Sequence, residues 1–281
     1  MKKRIRLLAV VSLVMALLIA GCGKSTEPAS SPSPSPSEEA AASSAAPAAN
    51  SNEFKLAEPG VFHFTASGEY QPFSFFKDGQ VTGFDIEIGY EIAKRLGLEP
   101  KVTTTPFSGI IPGVKEGRYD AAIASHVITE ERKQAVDFAD PYYVSAGQLF
   151  VRPDSTLTTL EELKGKEVAV ALGTTHEKMA REYTDNVKTY DSDVTALRAL
   201  DQGKHDVVIT DSIVGEIAIQ QGFKIKKTGA ALSEVYHGIA VQKGNTALLE
   251  AINKALADMK ADGTYLEISN KYFGRDISKK E

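Results

Sequence analysis

Ala124-Ser-His-Val-Ile-Thr-Glu-Glu-Arg132 closes one regular element and opens another. The apolar run Ala121–Ala124 predicts a buried strand that ends at a polar corner. Thr129 then suits a helix N-cap, and Glu130 and Glu131 place acids in the first turn, where the helix dipole favours them. Arg132 falls just inside that turn. A guanidinium beside unpaired backbone N–H groups makes a carboxylate receiver, because arginine binds a carboxylate through two parallel hydrogen bonds. The plainer alternative is a strand-to-helix junction with Arg132 on a solvated face.

Working outward, the four residues before this strand are Gly117-Arg-Tyr-Asp120, and a similar unit recurs at Gly203-Lys-His-Asp206 before Val207–Thr210. Each copy follows a predicted helix, and each strand ends in a polar residue, Ser125 or Asp211. Two such segments predict two similar α/β lobes, with Ser125 and Asp211 at strand carboxyl ends, where open α/β sheets bind ligands. Elsewhere along the chain, Val61–Ala66, Lys101–Thr105, Glu167–Ala171, Lys188–Asp191 and Gly238–Gln242 read as strands. Helices are predicted over Asp85–Leu96 with Asp85 as cap, from Thr174 with Glu177 as a capping box, over Val194–Leu200, and over Leu248–Lys260.

The chain has 281 residues, 42% hydrophobic and 25% charged, with net charge −5. Its first 21 residues hold Lys2, Lys3, Arg4 and Arg6 and no acid, so the remainder carries −9, which argues against a nucleic-acid partner. That basic start, the apolar run Leu7–Ala20 and Ile19-Ala-Gly-Cys22 predict a signal peptide over 1–21, too short for a membrane span. Cys22, the sole cysteine, stands where a bacterial lipobox places the thiol that is lipidated (palmitate among its acyl groups), and it excludes an intramolecular disulfide. Residues 22–52, with Ser-Pro-Ser-Pro-Ser-Pro at 31–36, predict a disordered tether to a membrane surface. His126 and His176 stand near the strand ends without metal-ligand spacing, so no metal or cofactor is expected.

Several ordered motifs resemble one family. They are Tyr70-Gln-Pro-Phe-Ser74, Gly83-Phe-Asp-Ile86, Phe107-Ser-Gly-Ile-Ile-Pro112, Thr129–Arg132 and Asp137-Phe-Ala-Asp-Pro-Tyr-Tyr143. Leu163-Lys-Gly-Lys166, Gly173-Thr-Thr175, Gly238-Ile-Ala240 and Asp262-Gly-Thr-Tyr265 complete the set. Together they resemble the extracellular solute-binding proteins of polar-amino-acid ABC importers, over Phe54–Gly274. The resemblance implies a two-lobed α/β periplasmic-binding fold with two hinge crossings, near Pro141–Gly147 and Tyr236–Ala240, and the ligand site in the interlobe cleft. Lobe 1 would be 53–143 plus 240–275, lobe 2 would be 144–239, and 276–281 a tail. It also implies a monomeric, non-enzymatic receptor, lipid-anchored on the extracytoplasmic face of the membrane, that passes a free amino acid to a permease and its ATPase.

By the same resemblance, Arg132 takes the ligand α-carboxylate, with backbone N–H groups of Val127 and Thr175. Asp211 takes the α-ammonium, helped by the Ser125 carbonyl. Tyr70 and Phe107 flank the ligand side chain, and Thr174 and Ser67 complete the pocket. Alternatives stay open at this point: Asp211, Thr174 and Thr175 as helix caps, and Tyr70 and Phe107 as core aromatics. Three departures matter. Val127 replaces the family's usual Ser or Thr, Ser67 stands where members that bind basic amino acids often have an acid, and Ala171 replaces longer polar residues. These favour an uncharged ligand side chain. Cyclohexadienyl dehydratases share the scaffold and form the enzymatic alternative, which requires a general acid at the bound carboxylate.

Overall fold

The computed structural model describes residues 54–279. The expected signal peptide, Cys22 and the whole of the tether lie outside them.

The chain opens with β1 (Val61–Ala66), followed by the small sheet β2 (Glu69–Tyr70), β3 (Ser74–Lys77) and β4 (Gln80–Thr82). Asp78 and Gly79 turn β3 into β4 with φ of 52° and 79°, the left-handed pair that a two-residue hairpin needs. Then come α1 (Phe84–Leu96), β5 (Glu99–Thr104), α2 (Phe107–Lys115), β6 (Ala121–Val127), α3 (Glu130–Ala135) and β7 (Val136–Phe138). The long strand β8 (Tyr143–Val151) leads to β9 (Val168–Ala171), α4 (Thr175–Tyr183), β10 (Val187–Tyr190), α5 (Asp193–Asp201), β11 (Val207–Asp211), α6 (Ser212–Gln220) and β12 (Lys226–Thr228). A second long strand, β13 (Glu234–Gln242), returns to α7 (Thr246–Asp262) and α8 (Thr264–Phe273).

The strands form one hydrogen-bonded path, β10-β9-β11-β8-β13-β6-β1-β5, with β12 added to β8 and β7 to β13. Parallel pairs β1·β5, β1·β6 and β9·β10, β9·β11 make two α/β lobes. The lobes are joined where β8 and β13 change partners. Tyr143–Ala146 of β8 pairs with Glu234–His237 of β13, after which Gly147–Val151 pairs with β11. From His237 onward β13 pairs with β6 instead, and the register slips between Gly238 and Ala240. Both exchanges fall within the segments that the resemblance implied as hinge crossings.

Residues alternate across β8, as a strand buried on both faces requires: Leu149 and Val151 join the second-lobe cluster with Val168, Val170 and Val207, while Phe150 points the other way. In the first lobe Phe64, Ile88, Ile92 and Ile110 are fully buried.

One expected cap is overturned. Asp85 lies inside α1, fully buried, and makes no cap; Gly83 takes that place without a side-chain bond. The first amides of α1 are satisfied instead by backbone carbonyls, Phe84 N–H by Pro72 at 3.0 Å and Asp85 N–H by Phe73 at 2.9 Å. Gly83 is required there, since its φ is 129° and a Cβ would lie 2.2 Å from the Phe73 carbonyl oxygen. Thr129 does cap α3, accepting from Arg132 N–H at 3.1 Å.

Helix α6 packs on β8 through Gly215, where an added Cβ would lie 2.0 Å from the Phe150 ring. On an open helix face Gly→Ala stabilises by about 1 kcal/mol. At this contact overpacking outweighs propensity, so Gly215→Ala is expected to destabilise by roughly 1–3 kcal/mol in urea denaturation. A stabilised variant would contradict the packing.

Candidate functional site

The carboxyl ends of β6, β9, β10 and β11 converge on one narrow cleft, whose empty space is about 510 Å³ when solvent at its mouth is counted. Ser125 and Val127 line it from the end of β6, Ala171 from β9, and Asp211 from β11. Thr174 and Thr175 enter from the start of α4, Ser67 and Tyr70 from the loop after β1, and Phe107 from the start of α2. Every cleft residue expected from the sequence is therefore brought to one place.

Arg132 enters from α3, mostly sheltered from water. Its Nη1 donates to the Val127 carbonyl at 2.8 Å, and its Nη2 reaches across to the Gly173 carbonyl at 3.2 Å. Among the described residues it makes no ion pair, since its neighbour Glu131 is engaged by Lys178. Burial lowers the guanidinium to about 10, against a small opposing pull from Glu131, so it is still charged at neutral pH. Its carbon lies 5.8 Å from the centre of the Phe107 ring, whose plane stacks on His126 at 4.3 Å. Phe107 is thus a floor beneath the arginine as well as a wall of the cleft. Tyr70 likewise lines the cleft while stacking on Phe73 at 5.1 Å.

Asp211 is 1% exposed and does two things at once. One oxygen caps α6 by accepting Ile213 N–H at 2.9 Å. The other accepts from the Ser145 hydroxyl and lies 3.5 Å from His237 Nε2. Burial alone would raise the Asp211 carboxyl, but hydrogen bonding and charge from His237, with Ser145, outweigh it and hold the group below its usual range. Thr174 is also both cap and lining: it accepts Glu177 N–H at 3.1 Å, while the Glu177 carboxylate takes Gly173 N–H at 2.7 Å. Thr175 begins α4, in the turn whose N–H groups lack intrahelical partners.

Ser125 holds a left-handed backbone, φ 55°, uncommon for a residue with a side chain. A closed set of hydrogen bonds fixes it. Its hydroxyl donates to Asp85 Oδ2 at 2.9 Å, and its N–H donates to the Tyr142 hydroxyl at 3.0 Å. Tyr142 in turn donates to Asp85 Oδ1 at 2.7 Å. The Ser125 carbonyl accepts His237 Nδ1–H at 2.8 Å.

Four lining residues were not expected from the sequence: Asp191, Ser192, Asp193 and His237. The first three follow β10, and the strand-end rule that found Ser125 and Asp211 applies to them equally. Burial raises Asp193 to about 6, against a 2.7 Å hydrogen bond from Thr210. His176 lines the cleft, lowered to about 4 chiefly by burial, while His126 is buried beneath Phe107 and does not. Among the described residues no cluster of His, Cys, Asp or Glu suits a metal ion.

Residues 63–275 match the model of the bacterial extracellular solute-binding proteins, family 3. The chain belongs to that family. Among the relatives of this solute-binding chain, the L-cystine-binding protein TcyJ of Escherichia coli (strain K12) is 36% identical over 231 residues, covering 80% of this chain and 87% of the relative. An ancestral arginine-binding protein bound to glutamine superposes with TM-score 0.72 at 39% identity, over 78% of this chain and 100% of that one. The ancestral amino acid-binding protein AncCDT-1, a precursor of cyclohexadienyl dehydratase, superposes with TM-score 0.71 at 34% identity, over 76% of this chain and 96% of that one. The two-lobed fold and a solute-binding role follow from this membership. Among the described residues no helix is long and apolar enough to cross a membrane.

Asp85 gives a pH signature. Burial raises it to about 6, although Tyr142, Ser125 and His237 pull it down. An unfolded aspartate titrates near 4, so the folded chain holds the extra proton between those values and this group's contribution falls as pH rises from about 4 to 6. Above pH 6 the cost of the buried charge is fully present. Relative to the natural chain, Asp85→Asn is expected to improve by about 2 kcal/mol between pH 4.5 and 7. Thermal melts of both chains across that range check it; a pH-independent difference would refute it.

Proposed function

We propose that the chain is the amino-acid-binding receptor of an ABC importer, capturing a free L-amino acid by its α-carboxylate and α-ammonium. The observation that carries this reading is Arg132: a largely sheltered guanidinium at the cleft, hydrogen-bonded to one backbone carbonyl from each side and to no carboxylate. A sheltered charge without a counter-ion is costly, and a ligand carboxylate offsets that cost. Asp211 and the Ser125 carbonyl supply the opposite polarity for the ammonium, and the α4 N-terminus at Thr175 supplies N–H donors. The ligands printed in the relatives' names, cystine and arginine, support an amino acid as the solute class.

Asp191 and Asp193 put two further carboxylates on the second-lobe wall. Ser67 in place of an acid therefore does not by itself remove cationic side chains from the ligand range. In the same reading, 53–143 with 240–275 and 144–239 are the two lobes, Cys22 carries the lipid anchor, and the monomer delivers to a permease and its ATPase. The enzymatic alternative now has one candidate acid, Asp193, raised to about 6. Turnover of arogenate or prephenate by purified protein would favour that alternative.

A thermal-shift panel of the twenty amino acids and L-cystine is expected to show stabilisation by at least one. A panel with no shift would reject amino-acid binding. For the stabilising compound, Arg132→Ala is expected to weaken binding by roughly 100-fold, about 3 kcal/mol, measured by calorimetry. Unchanged affinity would remove Arg132 as the anchor.

A further inference from the structure

His237 stands on β13 at the residue where that strand leaves β8 for β6, opposite both Tyr143 and Val127. It is 3% exposed, and its ring lies flat on Tyr143 with centroids 4.0 Å apart. Its two nitrogens reach the two groups assigned above to a ligand ammonium. Nδ1 contacts the Ser125 carbonyl at 2.8 Å. Nε2 lies 2.8 Å from Ser145 Oγ and 3.5 Å from Asp211 Oδ2.

Proton counting fixes the charge of this arrangement. A carbonyl only accepts, so Nδ1 carries a hydrogen. Ser145 has one hydroxyl proton to share between the Asp211 oxygen and His237 Nε2. If it goes to Asp211, Nε2 must donate, and the ring is an imidazolium beside a carboxylate. If it goes to Nε2, Asp211 must itself be protonated, or two oxygens meet with no proton between them. Either way the set of Asp211, Ser145 and His237 is neutral overall, with one proton more than a neutral imidazole and a carboxylate hold.

We propose that His237 is the resident cation of the ammonium pocket, a positioning residue that neutralises Asp211 until a ligand ammonium takes over that charge and one proton leaves for solvent. This rests on the amino-acid reading given above. An ammonium and an imidazolium a few ångströms apart in a water-poor cleft repel each other strongly, so ligand and proton exclude one another. Binding then weakens as pH falls, because proton and ligand compete for one pocket, approaching tenfold per pH unit where the free chain holds the proton fully. The same device disfavours ligands that lack an ammonium, since they leave the proton in place and gain nothing from Asp211.

Other titratable groups face His237 and must be separated from it. Asp211 lies on β11, Asp85 on α1, His126 on β6, His176 on α4, and Tyr142 and Tyr143 precede and begin β8. Asp85 is raised to about 6 and is a second source of a released proton, so the His237 ring signal, which follows the imidazole alone, tells the two apart.

The test is calorimetry of L-arginine, L-glutamine and L-cystine at pH 5.5 and 8, each in two buffers of different ionisation enthalpy. Imidazole carbon-bound proton NMR of the free chain accompanies it, with the His237 signal identified by its loss in His237→Gln. The natural chain is expected to release up to one proton per molecule bound at pH 5.5 and to bind more tightly at pH 8. His237→Gln is expected to bind without proton release and without that pH dependence. Binding by the natural chain with no proton release, or equal release by His237→Gln, overturns the proposal while leaving amino-acid binding intact. Should His237→Gln not fold, the NMR titration of the natural chain decides, and an imidazole neutral down to pH 5 overturns the proposal. No binding of any of the three compounds at either pH overturns it together with the amino-acid reading.

Discussion

Two antiparallel strands carry the chain between its lobes, and the cleft is organised by where they exchange partners. β8 and β13 pair with each other only over Tyr143–Ala146 and Glu234–His237. On one side of that segment the sheet order is fixed by β11, on the other by β6. A short shared segment between two well-packed halves is a hinge geometry, in which a few backbone angles absorb the motion while each half stays rigid. It also aims the strand carboxyl ends of both halves at one cleft, the position at which open α/β sheets bind ligands. His237, at the exchange, therefore belongs to hinge and cleft together, and Ser145 of the shared segment links it to Asp211.

Buried charge is the second constraint. Asp85, Asp193 and Asp211 are all nearly inaccessible to water, and ionised groups are costly to bury unless hydrogen-bonded or paired. Each is met by hydroxyls or by an imidazole rather than by lysine or arginine. For Asp85 this has a structural consequence away from the carboxylate itself. Both its oxygens are used to hold Ser125 and Tyr142, and Tyr142 holds the Ser125 amide. The strained Ser125 backbone, and with it the direction of the Ser125 carbonyl, is set from beneath by an acid that does not line the cleft.

These relations explain what was legible in the sequence. Arg132, Asp211 and Ser125 were readable because each sits at the end of a strand or the start of a helix, where local pattern and position coincide. Asp191–Asp193 obey the same rule, but β10 is a short edge strand, half polar, whose end the hydrophobic pattern marks only weakly. His237 was not readable. Its partners are Ser125, 112 residues away, and Ser145, 92 residues away, brought together by the crossing of β8 and β13. Asp85 was read as a cap because an acid at a helix start usually is one. The carbonyls of Pro72 and Phe73 had already satisfied those amides, which freed the side chain to turn inward.

Arg132 bridges the cleft through backbone carbonyls. Val127 offers no side-chain hydroxyl, yet its carbonyl is what holds Nη1 of the guanidinium. The position still serves the anchor, through backbone rather than side chain. Nη2 meanwhile reaches the Gly173 carbonyl on the opposite lobe, so the same group that would receive a carboxylate also ties the cleft shut. The neighbouring contact across the mouth, Lys178 with Glu131, is largely exposed and contributes little. Closure thus leans on the anchor: a guanidinium has five N–H donors, and two suffice for the carbonyls. Under the proposed function, the remaining donors would receive the ligand carboxylate while the carbonyls stay bridged, coupling binding to closure at a single residue.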